Sequence, residues 1–95
     1  MPTASLSIVN RLGLHARAAA KFVACAKRFG SEVQLGHGDQ QVDGKSIMNV
    51  MLLAAPLGST VELTVTGADA ESAFEALVAL IECGFEEGIA GVEDD

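Results

Sequence analysis

The stretch SLSIVNRLGLHARAAAKFVACAKR, residues 5–28, changes its hydrophobic period once, and that change decides the fold. Residues 5–10 alternate between apolar and polar side chains, which predicts a half-buried β-strand. Beyond His15, small and apolar residues recur at helical spacing as far as Ala26. The sequence therefore predicts a strand, a short turn, and a helix that begins directly after His15.

The same two periods predict the rest of the architecture. The further predicted elements are a strand around Val33 and Leu35, a turn at residues 36–39, a returning strand at residues 40–43, a short and nearly all-apolar helix at residues 47–54, a strand at residues 60–66, and a helix from the N-cap Asp69 to about Gly84. Each strand has only one apolar side, so the order β-α-β-β-α-β-α predicts an α+β open-faced sandwich: a four-stranded antiparallel sheet with three helices on one face. We expect one domain over residues 1–95, with a flexible acidic tail from about residue 86.

The length and the charge of the chain exclude some classes of function. The chain has 95 residues, 49% of them hydrophobic, which suffices for one modest core and leaves no room for a second catalytic domain. A formal net charge of −7 disfavours nucleic acid as a partner. The first 30 residues nevertheless contain five cations and no carboxylate side chain, whereas no Lys or Arg follows Thr60. One end of the molecule should therefore be locally positive and suit an anion or an acidic partner.

Targeting and metal signals are weak in this sequence. The start MPTASLSIVN resembles no signal peptide and no apolar run approaches a membrane span, so we expect a cytoplasmic protein that does not insert into a membrane. Cys25 and Cys83 lie in helical patterns far from any C-x-x-C spacing, which predicts buried free thiols. Neither histidine stands at ligand spacing with a thiol, and we expect no metal and no cofactor.

The sequence GLHAR, residues 13–17, contains the candidate chemistry. An imidazole at the start of a helix lies over the unpaired N–H groups of the first turn, here those of Ala16 and Arg17. The planar Arg17 guanidinium suits phosphate oxygens, so His15 would be a nucleophile placed in an anion site. From spacing alone, a His at a helix start is more commonly an ordinary polar residue, and an Arg two places on a solvated side chain.

Two motifs together resemble a known family. GLHAR at residues 13–17 and GKSIM at residues 44–48 are similar to motifs of the HPr/NPr family, the histidine-containing phosphocarriers of the bacterial phosphotransferase system, and the resemblance extends over about residues 3–86. It implies that enzyme I, charged from phosphoenolpyruvate, phosphorylates His15 at Nδ1. It further implies that Arg17 stabilises the phosphohistidine before transfer to an enzyme IIA-type acceptor. A carrier of this kind is not itself an enzyme.

Ser46 has two compatible interpretations. Its position directly before the short helix predicts an N-cap. The resemblance implies, in addition, a regulatory phosphorylation site for an HPr kinase/phosphorylase, although Asn49 stands where the family often has glycine. Ala18 likewise replaces a frequent proline, which affects rigidity and not chemistry.

A partner surface is expected beside His15. Val50 and Leu53 are predicted to point inward, and flexible methionines on the other side of the short helix suit a surface that fits several partners. The predicted interface residues are Ala16, Ala20, Lys21, Lys27, Ile47, Met48 and Met51.

Three alternatives stay open. GKSIM resembles sugar-branch members, whereas CGFEE at residues 83–87 resembles nitrogen-branch members, so the sequence leaves the pathway open. A contact-only regulatory paralogue would have the apolar patch without the histidine, and a small ligand-sensing domain could share the fold. A shuttle that leaves one partner for the next is expected to be a monomer.

Overall fold

The computed structural model describes residues 2–86 of the chain, and the predicted flexible tail falls almost entirely outside them. The elements in chain order are β1 (Thr3–Ser7), α1 (Ala16–Ala26), β2 (Glu32–His37), β3 (Gln40–Asp43), α2 (Ile47–Leu52), β4 (Thr60–Thr66) and α3 (Ala70–Glu82). This order confirms the predicted β-α-β-β-α-β-α arrangement. The fold is an α+β open-faced sandwich with three helices on one face of the sheet.

The four strands form one antiparallel sheet in the order β1-β4-β2-β3. The central strand β4 pairs with β1 through Leu6↔Val61 and with β2 through Leu35↔Leu63. Val61, Leu63 and Val65 are fully buried, while their neighbours along β4 face outward. The period of two places every apolar side chain of β4 under the helices.

The helices cover that apolar face. In α1 the buried positions are Ala18, Ala19, Phe22, Val23 and Ala26, and in α3 they are Ala70, Ala73, Leu77 and Ile81. These positions recur at three- and four-residue spacing, so each helix presents one apolar stripe to the sheet. Helix α1 contacts both α2 and α3, and its side chains Ala18, Ala19 and Phe22 are fully buried.

The first strand begins and ends earlier than predicted. The expectation of a strand over residues 5–10 is wrong at both ends, since β1 spans Thr3–Ser7. Ile8 donates its N–H to Ser59 O and accepts from Gly58 N, both in the loop before β4, so its backbone has left the ladder. The Asn10 side chain then donates to Gly13 O at 2.9 Å, which turns the chain toward α1.

The β-hairpin and the short helix also differ from expectation. Gly36 and His37, predicted to lie in the turn, are the last residues of β2 and pair with β3. The short helix ends at Leu52 and not at Ala54, because Leu53 is its C-cap and Ala54 takes the left-handed conformation with φ +51°. A left-handed residue after the cap cannot continue a right-handed helix.

Asp69 occupies the predicted N-cap position of α3, but its carboxylate does not cap that helix. It accepts hydrogen bonds from the Ser31 hydroxyl, from Gly30 N at 2.9 Å and from Ser31 N at 3.0 Å. These bonds hold the pKa of the Asp69 carboxyl below its ordinary value, the Ser31 hydroxyl contributing most. Asp69 thus ties the start of α3 to the chain that leaves α1.

Candidate functional site

The turn before α1 is built by close backbone contacts with the loop that follows α2. Gly13 has φ +68°, and a Cβ at this position would lie 2.6 Å from Ala55 O and 2.9 Å from the Pro56 Cα. Leu14 N donates to Ala55 O at 2.9 Å. Only glycine combines this conformation with this approach. The residue before His15 is therefore fixed to the segment after α2.

His15 is the N-cap of α1 and is half-buried. Its backbone is extended (φ −90°, ψ −176°), its carbonyl accepts from Ala19 N at 2.8 Å, and its Nδ1 accepts from Arg17 N at 3.2 Å. Because a backbone N–H can only donate, Nδ1 has the lone pair and the proton of the neutral ring lies on Nε2. The imidazole thus presents Nδ1 to the first turn of the helix.

Ala16 and Arg17 are both exposed, in the first turn of α1. That turn contains no acidic residue, and the side chain that accepts the Arg17 N–H is the imidazole of His15 itself. An anion bound at His15 Nδ1 would lie over the N–H groups of Ala16 and Arg17. The Arg17 guanidinium, two residues along the chain from His15, suits such an anion. The arrangement can hold a phosphoryl group on the ring and stabilise its charge.

Ser46 is the N-cap of α2, as predicted. Its hydroxyl accepts from Asn49 N at 3.3 Å, and the residue is half-buried. Val50 and Leu53 point inward, at 0% and 3% exposure, which also agrees with the prediction.

Large apolar side chains are exposed on α2 and on the loops around it. Their exposures are Met48 73%, Leu12 67%, Leu52 65%, Leu57 47%, Ile47 44% and Met51 41%. Ile47, Met48 and Met51 were named from the sequence, whereas Leu12, Leu52 and Leu57 were missed. The signal for the missed three was available: Leu12 and Leu57 each precede a glycine in a loop, and Leu52 belongs to a helix too apolar to be buried on every side. The set of exposed apolar side chains on α2 and its neighbouring loops is therefore larger than predicted.

The basic residues of the predicted interface lie at different places. Lys21 is half-buried, and its Nζ lies 3.5 Å from Glu86 Oε1, on the side of α1 that faces α3. Lys27 is the C-cap of α1, about 18 Å along the helix axis from His15 at about 1.5 Å per residue. Ala20 is exposed on α1. The structure therefore does not bring Lys27 close to His15.

The two cysteines are free and line a groove of about 440 Å³ between α1 and α3. Cys25 is half-buried, and burial raises the pKa of its thiol. Cys83 is exposed, so the prediction of two buried thiols is wrong for Cys83, which lies at the C-cap of α3 and not inside the helix. Among residues 2–86, no cluster of three His, Cys, Asp or Glu side chains could hold a metal ion.

A second histidine, His37, makes a long-range contact that the sequence did not indicate. His37, at the end of β2, is half-buried, and its Nδ1 lies 3.1 Å from Leu53 O at the C-terminal end of α2. The contact joins residues 16 positions apart, and no local periodicity reports such a pair.

Fold and site together define a class: a small α+β protein with a histidine at a helix N-terminus beside a solvent-facing apolar surface. Comparison with known proteins assigns the chain to a family. The family model described as "PTS HPr component phosphorylation site" matches residues 2–83. Phosphocarrier protein HPr of Pseudomonas putida is 53% identical over 89 residues, covering 93% of this chain and 99% of the relative. Phosphocarrier protein NPr of Shewanella violacea is 35% identical over 82 residues, covering 86% of this chain and 90% of the relative.

A solved structure gives the same result in three dimensions. The crystal structure of HPr-C-His from Thermoanaerobacter tengcongensis superposes with a TM-score of 0.89 at 42% identity, covering 94% of this chain and all of the other. The chain belongs to the HPr family of phosphocarrier proteins of the phosphotransferase system. Members of this family are phosphocarriers and not catalytic enzymes. None of the helices within residues 2–86 is long and apolar enough to cross a membrane.

Proposed function

We propose that this protein accepts a phosphoryl group on His15 Nδ1 from enzyme I and passes it to an enzyme IIA-type acceptor in the cytoplasm. The observation that carries the proposal is the hydrogen bond from Arg17 N to His15 Nδ1. It keeps the lone pair of Nδ1 directed toward the N–H groups of α1, where a transferred dianion would be stabilised.

The transfer needs few protein groups. Nδ1 attacks the phosphorus of the donor, a nitrogen–phosphorus bond forms at His15 as the donor bond breaks, and the leaving group retains its electron pair. The ring retains its Nε2 proton during this step. The Arg17 N–H, released from Nδ1, is then close enough to donate to a phosphoryl oxygen, and the Arg17 guanidinium can add a charge-assisted bond. No group has to travel far, which suits a carrier that is charged and discharged in turn.

Partner docking is assigned to the exposed apolar side chains of α2. Ile47, Met48 and Met51 belong to the helix that contacts α1, so a partner covering them would approach His15 as well. Ala16 and Ala20 leave room for close approach of the partner. Lys21 and Lys27 would then supply charge at the periphery for an acidic partner, with Lys21 first released from Glu86.

Regulation at Ser46 is a finer part of the proposal. Its hydroxyl already accepts Asn49 N–H, so a phosphate on it would remain at the helix N-terminus without unfolding α2. The added charge would stand directly before the exposed Ile47 and Met48. An HPr kinase/phosphorylase acting here would weaken docking by placing a dianion beside an apolar contact.

For the pathway, greater similarity to the HPr-named relative supports an HPr-type role over an NPr-type one. The presence of His15 favours a carrier over a contact-only regulator. We propose that the protein acts as a monomer, because it must release one partner before it meets the next.

Intact mass spectrometry tests the proposal. The wild type, His15→Ala and His37→Asn are incubated with enzyme I, Mg²⁺ and phosphoenolpyruvate, and each is then briefly acidified. The wild type and His37→Asn should gain one acid-labile phosphoryl group, about 80 Da, and His15→Ala should gain none. His37→Asn is the matched control because these are the only two histidines in the chain. A wild type that stays unmodified with a competent enzyme I contradicts the proposal and favours the contact-only regulator.

A further inference from the structure

His37 makes a contact that the phosphocarrier chemistry does not use. Its Nδ1 lies 3.1 Å from the carbonyl oxygen of Leu53, and the residue is half-buried at the end of β2. A carbonyl can only accept, so His37 Nδ1 must have a proton and donate it. The bond runs from the β2–β3 hairpin to the C-terminal end of α2.

The accepting carbonyl lies at a special place in the backbone. Leu53 is the C-cap of α2, and the last carbonyls of a helix have no partner within the helix. Ala54, the next residue, has φ +51°, a left-handed conformation that is unfavourable for a residue with a Cβ. A strained residue holds its conformation only where its surroundings impose it. The hydrogen bond from His37 is one such constraint.

The same segment continues into the phosphorylation site. Two residues beyond Leu53, Ala55 O accepts the N–H of Leu14, which is the residue before His15, at 2.9 Å. Gly13 approaches Ala55 O so closely that no side chain would fit between them. Movement of Leu53 and Ala54 would therefore be passed to the turn that places His15.

The segment also determines how α2 presents its last turn. Met51 and Leu52, both exposed, directly precede Leu53. The buried Leu53 side chain anchors the end of the helix from below, and His37 holds its carbonyl from the side of the hairpin. One hydrogen bond thus acts on both the apolar docking surface and the His15 turn.

We propose that His37 is a positioning residue for phosphoryl transfer: its bond to Leu53 O fixes residues 53–55, and through them the relative placement of the docking helix and His15. This inference rests on the proposed carrier function. Without this bond, α2 and the turn that contains His15 can shift relative to each other. A partner must then reorder them on binding. The cost appears in the KM for this protein, while kcat in the docked complex changes little.

Two amide substitutions test the bond with matched chemistry. The Nδ2 of Asn occupies the position of His Nδ1 relative to the backbone, whereas the amide of Gln is one carbon further out. We expect His37→Asn to retain the wild-type KM with enzyme I, and both His37→Gln and His37→Ala to raise it about three- to tenfold with kcat within about twofold, the range for one lost hydrogen bond. The Leu14 and His15 amide NMR signals should shift in the Gln and Ala variants and stay near wild type in the Asn variant.

A destabilised control separates positioning from general loss of stability. Asp69→Asn weakens the ties between α3 and residues 30–31, which follow the far end of α1, so it should lower the urea midpoint and leave KM unchanged. Equal KM values for wild type, His37→Gln and His37→Ala overturn the inference. So does an equal rise in the Asn and Gln variants, which would make only the imidazole shape important. A wild type that enzyme I does not phosphorylate refutes instead the carrier function on which the inference rests.

Discussion

His15 and His37 are the same side chain in two opposite settings. The Nδ1 of His15 accepts a hydrogen bond from a backbone N–H at a helix N-terminus, whereas the Nδ1 of His37 donates one to a carbonyl at a helix C-terminus. The free groups at the two ends of a helix have opposite polarity, and they select opposite ring tautomers. The first setting leaves a nucleophilic lone pair on Nδ1, and the second removes it. The comparison teaches that the end of the helix, and not the residue type, decides which ring nitrogen has the lone pair, Nδ1 in His15 and Nε2 in His37.

The largest expected effect concerns Arg17, the cation that follows His15 by two positions. Arg17→Ala should lower the rate of phosphoryl transfer about 10- to 100-fold, because the proposed charge-assisted bond from its guanidinium to the phosphoryl group would be lost. The rate is measured by quenched-flow transfer from phosphorylated enzyme I. Lys27→Ala, at the far end of α1, is the control and should change the rate much less. Equal losses in both variants would mean that general charge, and not local contact, assists the transfer.

Gly13 connects the two histidine regions through its approach to Ala55 O. Gly13→Ala should lower the free energy of unfolding by about 2–3 kcal/mol, since it adds both a close contact and a strained φ of +68°. Urea denaturation measures the loss. Gly38→Ala is the matched control, because Gly38 has φ +64° and nothing lies within 4 Å of the added Cβ. If the two variants lose the same stability, the close approach to Ala55 contributes nothing.

A substitution at Ala54 should have a smaller effect than Gly13→Ala and should raise the free energy of unfolding. Ala54→Gly relieves the left-handed strain after α2, and we expect a gain of about 0.5–1 kcal/mol in the free energy of unfolding after the entropic cost of glycine. Ala24→Gly, at an exposed position inside α1, should instead lose about the same amount. A destabilised Ala54→Gly would show that the turn is not strained, and would weaken the argument that His37 is needed to hold it.

The smallest expected effect concerns Asp69 and the loss of stability in acid. Because the folded-state pKa of Asp69 is lowered, this carboxylate contributes stability that is fully present above its unfolded pKa and is lost as the pH falls through the folded pKa. Wild type and Asp69→Asn should therefore differ in urea midpoint at neutral pH and converge in acid, below the usual carboxyl range. A difference that closes instead near neutral pH would contradict the assignment to Asp69.

Much of the molecule was predictable because its information is local. Helix α1, strands β3 and β4 and the inward residues Val50 and Leu53 follow from period and capping residues within a few positions. The errors occur where distant groups compete for the backbone. Strand β1 ends early because the loop at Gly58 and Ser59 binds Ile8, and Asp69 does not cap α3 because Ser31 and Gly30 take its carboxylate.

The sequence by itself determined the element order, the amphipathic faces and the placement of His15 and Arg17 at a helix start, since each depends on spacing along the chain. Only the tertiary structure decided the strand order β1-β4-β2-β3, the approach of Gly13 to Ala55, and the contact of His37 with Leu53. The physical reason is that a hydrogen bond or a packed contact depends on distance in space. Residues such as Gly13 and Ala55, or His37 and Leu53, have no pattern in common until the sheet and the helices bring them together.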